Sequence, residues 1–182
     1  GAKAAVEAAK ANGWDEIKCI EIAGVQGDST NTARMDGYRE GITEAGGEFL
    51  DNETQYANAT ADLAVTAMEG IMSKYPDGVA IICSNNDDMA LAAARTAKSN
   101  PNYAKTIFLG FDGQKSACEA VAAGELTMTA AQNNFDIGYK AVETMVKILK
   151  GEQYDKVVDT GTEIITKDNA EERLTKFSEW MK

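Results

Sequence analysis

Residues 81–90 read IICSNNDDMA. Ile81, Ile82 and Cys83, with Val79 and Ala80 before them, form an unbroken apolar run of strand length. Ser84 and four more polar residues, Asn-Asn-Asp-Asp, follow, and then MALAAARTA, a run rich in helix formers. A strand apolar on both faces belongs to a parallel sheet covered on both sides, since a sheet with one wet face would alternate. A helix begins at once, with Asp87 and Asp88 at its positive end. The stretch therefore reads as one strand–helix unit, and its polar junction is either punctuation or a site.

The same unit recurs outward in both directions. On the N-terminal side, AKAAVEAAKA reads as a helix stopped by Asn12-Gly13, and IKCIEIAG as a strand. TNTARMDGYREGITEAG is helical, with Met35, Tyr38 and Ile42 on one stripe and Gly46-Gly47 as its stop. EFLDNETQ reads as a weaker strand. TADLAVTAMEGIMSKY is a helix with Leu63, Ala67 and Ile71 on its apolar stripe. On the C-terminal side come the strand KTIFLGFD, the helix QKSACEAVAAG, the strand LTMTAAQ and the long amphipathic helix FDIGYKAVETMVKILKG. The strand VVDTGTEIIT and the helix NAEERLTKFSEWM, capped by Asp168 or Asn169, close the chain. Strands alternating with helices of this length predict an α/β fold, a doubly wound and mainly parallel sheet.

Composition narrows the chemistry. The chain has 182 residues and a formal net charge of −11, which argues against a nucleic-acid partner. It contains no histidine, so triads and metal sites that need one are excluded. Cys19, Cys83 and Cys118 have no CxxC spacing and read as small buried hydrophobes. The loop AGVQGDST matches neither phosphate-binding glycine pattern. No metal and no cofactor is expected. No apolar run approaches a membrane span, and no export signal is visible, so any such signal would lie upstream.

In an open parallel sheet, ligands bind beyond the carboxyl ends of the strands. The exits here are VQGDSTNTAR, YANAT, NNDD, DG and QNN, each rich in groups that make two hydrogen bonds at once. Singly, Asn86 could be a helix cap, Asp112-Gly113 a turn and Arg34 a solvated charge. Together at one edge they suit a polyhydroxyl ligand. A carboxylate-dependent α/β enzyme using Asp87, Asp88 or Asp112 is a further reading of the same residues.

ICSNNDDMALAAARTA, IFLGFDG, TARMDGYREGI and LTMTAAQNNFDIGYKAVETMVKILKGE together resemble the ribose/galactose-type periplasmic sugar-binding proteins of ABC importers. The resemblance implies a type I periplasmic-binding-protein lobe that holds a monosaccharide-like ligand against a second lobe, without catalysis. It implies ligand-binding roles for Arg34, Asn86, Phe111, Asp112 and Gln132, with Thr30 and Tyr56 as further candidates. Ala59 stands where the family usually carries an aromatic that stacks on the sugar.

By the same resemblance, residues 1–132 and 157–182 form the C-terminal lobe. Residues 133–156, with helix 134–150, cross to an N-terminal lobe that would precede Gly1. The implied partners are a small sugar and an ABC permease, with self-association through helix 134–150 when the other lobe is missing. The implied location is periplasmic or extracellular, as a membrane-anchored lipoprotein in a Gram-positive organism. The effector-binding core of a lac-repressor-like regulator shares the fold and is the alternative.

Overall fold

Along β1 (Lys18–Ala23), Ile20 and Ile22 pack into one apolar cluster while Cys19 packs into another, the period of two that a strand imposes. The same alternation runs through β4 (Ile81–Ser84), where Ile82 faces one side and Ile81 and Cys83 the other. It continues in β5 (Ile107–Asp112), with Phe108 opposite Ile107 and Leu109. A sheet buried on both faces needs helices on both. The computed structural model describes residues 1–180 and supplies them. Met181, expected to end the last helix, lies outside the described residues.

On one face lie α1 (Ala2–Ala11) and α2 (Ser29–Glu44). On the other lie α3 (Ala61–Lys74), α4 (Asp87–Ala97), α5 (Lys115–Ala122) and the start of α7 (Ala170–Trp180). The remaining strands are β2 (Glu48–Phe49), β3 (Gln55–Tyr56), β6 (Met128–Gln132) and β7 (Thr162–Ile165), and α6 spans Asn134–Lys150. The sheet runs β2-β1-β4-β5-β6-β7, with β3 also on β1. Every pairing is parallel except β6–β7. The order reverses between β1 and β4, so the opening stretch lies at the switch point, where the loops after the two strands diverge and leave a crevice.

Several elements differ from expectation. EFLDNETQ is not one strand: β2 pairs with the start of β1 and β3 with its end, and a single helical turn over Asp51–Glu53 lies between them. The apolar stripe of α3 is Ala64, Met68 and Ile71, and Leu63 is 43% exposed. A strict spacing of four drifts about 40° per step around a helix, whereas steps of four and then three return nearly to phase. The last strand begins at Thr162, five residues later than VVDTGTEIIT suggests, and Val157 is 86% exposed. Asn169 precedes α7, but its side chain turns back to Thr166 N–H and the Ile164 carbonyl instead of capping the helix. The three cysteines are free and buried, with Cys19 and Cys83 Sγ atoms 3.4 Å apart.

Helix α6 is well formed yet has no buried residue. Gly151 ends it at φ 71°, and the N–H groups of Gly151 and Glu152 close on the carbonyls of Ile148 and Lys147. Val142, Met145 and Leu149 are 67%, 55% and 80% exposed.

Candidate functional site

The carboxyl edge of the sheet is held by side chains that bond the backbone. Asp28 caps α2 by accepting from Asn31 N–H. Asn31, itself buried, accepts from Gly24 N–H at 2.6 Å, and its carbonyl accepts from the Asn85 amide. The exits of β1 and β4 are thereby tied to the first turn of α2.

That tie brings Arg34 over the switch point. Its Nη1 donates to the Asn85 carbonyl at 2.6 Å, and its Nη2 donates to Asp112 Oδ1 at 3.0 Å. Its guanidinium lies 4.0 Å from the centre of the Phe111 ring. Gln132 Nε2 donates to the same Oδ1 at 2.7 Å. Residues from α2, β5 and β6 thus meet on one carboxylate oxygen, and Oδ2 keeps its acceptor sites free of protein donors among the described residues. Both charges of the pair are partly screened, with side-chain exposures of 15% and 22%. Asp112 is held at φ 114°, a region that non-glycine residues rarely occupy and that costs about 1–3 kcal/mol.

Beneath this turn lies Asp87. This residue is buried, accepts from Thr129 Oγ1 at 2.6 Å and accepts from Gln114 N–H at 2.7 Å. It therefore ties the far end of the Asp112–Gly113 turn to β6, where Thr129 Oγ1 also accepts from Gly113 N–H at 3.3 Å. A side chain at Gly110 would collide with the Asp87 carboxylate, and one at Gly113 would collide with Ala131. Burial pushes the Asp87 carboxyl up to about 7, against the opposing pull of its two hydrogen bonds.

Of the residues expected at the site, Arg34, Phe111, Asp112 and Gln132 are brought together. Thr30 is exposed in the first turn of α2 and lines the same concavity as Arg34, Phe111 and Gln132. Asp112 stands behind it, reached through Arg34 and Gln132, and Asn86 and Tyr56 do not line it. Asn86 does the helix-cap work: Oδ1 accepts from Met89 N–H at 2.9 Å, and Nδ2 donates to the Ala59 carbonyl at 3.1 Å. One N–H and one lone pair remain on its amide for a ligand. Tyr56 pairs with Ala23 at the sheet edge and is 42% exposed. Asn58 and Ala59 beside it both have positive φ.

Sequence reading missed Asn31, Asn85 and Thr129 as supports, and it took Asp87 for a helix start or a catalytic acid. The only signal for Asp87 was its place next to the exit of β4.

Fold and site define an α/β lobe that presents hydrogen-bonding groups at the carboxyl edge of a parallel sheet. The chain belongs to the periplasmic binding protein domain family, whose model matches residues 1–153. It is 32% identical over 152 residues to the ribose import binding protein RbsB of Haemophilus influenzae, covering 84% of this chain and 50% of that protein. It is 31% identical over 131 residues to the D-allose-binding periplasmic protein of Escherichia coli, covering 72% and 41%.

Among solved structures, an ABC transporter solute-binding protein from Bacillus halodurans with bound myo-inositol superposes with a TM-score of 0.80 at 25% identity, covering 94% of this chain and 58% of that one. A periplasmic solute-binding protein from Actinobacillus succinogenes with bound D-allose reaches a TM-score of 0.83 at 21% identity, a likeness of fold, over 92% and 59%. The chain spans about half the length of the curated relatives it matches.

Proposed function

We propose that this chain is one lobe of the substrate-binding component of an ABC sugar importer and that it holds a monosaccharide-like ligand at its carboxyl edge. The observation that carries the reading is the convergence of Arg34, Asp112 and Gln132 on one partly screened point at the switch point. Arg34 and Gln132 donate, Asp112 Oδ2 accepts, and adjacent sugar hydroxyls do both. Phe111 lies under Arg34 and limits how far the guanidinium can move. Relatives named for ribose and allose support the sugar class.

In this reading, residues 1–132 and 157–182 make the ligand lobe, and residues 133–156 pack on a second lobe. That α6 has no buried residue supports that division. The protein acts by binding, and closure of the lobes over the ligand creates the form that a permease recognises. Its place is the periplasm or cell exterior, with a lipid anchor in a Gram-positive cell.

Calorimetry on a two-lobed form with D-ribose, D-allose and myo-inositol tests the proposal. Asp112→Ala should abolish binding with the fold intact. Asn86→Ala should weaken binding and also cost about 1 kcal/mol of stability, because it removes the cap of α4. Undiminished affinity in Asp112→Ala would refute the site.

A further inference from the structure

Arg173 is an anomaly in α7. It is 2% exposed, and its Nε is buried with no hydrogen-bond partner among the described residues. Among the described residues it pairs only with the Glu163 carboxylate, which lies 3.8 Å from Nη1 and is itself 38% exposed. A buried guanidinium so loosely neutralised is expensive, and an unpaired buried donor calls for an explanation.

Two contacts supply one. Nη2 donates to the Gln132 carbonyl at 2.6 Å, a short charge-assisted bond. The guanidinium also lies 4.9 Å from the Trp180 ring centre and 5.4 Å from that of Phe177. Trp180 in turn stacks on Phe135 at 5.8 Å, and Phe135 stacks on Tyr139. Arg173 therefore grips the segment that leaves β6 for α6 from both sides, directly at the Gln132 carbonyl and through Trp180 at Phe135. Gln132 is also the residue whose side chain reaches Asp112.

We infer that Arg173 is a positioning residue for the ligand site: it fixes the exit of β6 so that the Gln132 amide meets Asp112, and it couples the direction of α6 to that bond. The inference rests on the proposed sugar site for its purpose, but its geometry is testable without any sugar. Glu163 and Lys176 complete the charged groups facing this corner, together with Asp136 at the start of α6.

The test is side-chain amide NMR on the unliganded chain. In the parent chain the Gln132 NH2 protons should exchange slowly with solvent. Arg173→Met keeps the apolar stem and removes the donors, and it should speed that exchange about tenfold, the loss expected for one hydrogen bond to a charged group. Arg173→Lys should restore part of the protection.

Leu174→Ala thins the packing of α7 without touching the bond, and it should lower the melting temperature while leaving Gln132 exchange unchanged. Equal loosening by Leu174→Ala at matched loss of stability would overturn the inference, leaving Arg173 merely structural. So would unchanged Gln132 exchange in Arg173→Met. If Arg173→Met does not fold, the Lys variant decides: Gln132 exchange as slow as in the parent overturns the inference, and intermediate exchange supports it. Failure of sugar binding alone would count against the proposed function and leave this result standing.

Discussion

Glu21 interrupts the apolar run of β1 and is wholly buried, with neither carboxylate oxygen hydrogen-bonded among the described residues. Burial pushes its carboxyl from 4.5 up to about 7. Asp87 is moved from 3.8 to about 7, again chiefly by burial. In both cases the folded chain holds a proton that the unfolded chain releases. The stability that these two groups contribute should therefore be greatest on the acid side of this window and should fall as pH rises from about 4 to about 7. Glu21→Gln removes one of the two groups. Denaturant unfolding should find the variant more stable than the parent at pH 8, by at most about 3 kcal/mol, with the gap closing below about pH 4.5. Equal stability at pH 8 would mean that the carboxylate is solvated in the folded chain.

These acids also mark where sequence reading ends. Asp112 and Gln132 were legible because they end β5 and β6, and Arg34 because it lies early in α2, the helix that follows β1; topology sends all three to one edge. The clamp by Asp87 was not, because its partner Thr129 lies 42 residues away and its room depends on Gly110.

At the scale of elements, the continuous apolar strands β4 and β5 declared themselves, since burial on both faces leaves no other reading. The split of β2 and β3 was hidden because each is only two residues long and depends on which end of β1 it meets. Helix α6 was legible as an amphipathic helix, and its stripe of Ile137, Ala141, Met145 and Ile148 is real. Residues 155–160 flank that stripe, with Val158 in the groove beside Ile137 and Met145, and they leave it largely wet. Each large side chain left exposed forgoes about 1.5–3 kcal/mol. Light scattering should find this chain associating as a dimer or larger species, and Met145→Glu should shift it toward monomer. A monomer at high concentration, with α6 amides as protected from hydrogen exchange as those of β4 and β5, would show that the stripe is already satisfied.

For the whole molecule, the order of the strands matters more than any single motif. Reversal between β1 and β4 opens a crevice at the edge where α2, β5 and β6 deliver Arg34, Asp112 and Gln132. The family's fold accounts for that arrangement, and the proposed second lobe would cover α6, which has no buried residue. Under the proposed function this chain is one lobe, supplies only part of the hydrogen bonds and cannot exclude water, so alone it should bind a sugar weakly. NMR titration of the 182-residue chain with D-ribose, D-allose and myo-inositol measures this directly. At least one ligand should give saturable shifts in the millimolar range, centred on the Arg34 guanidinium, the Gln132 amide and the Asp112 turn, and lost in Asp112→Ala. Shifts centred elsewhere, or micromolar binding that survives Asp112→Ala, would contradict the account.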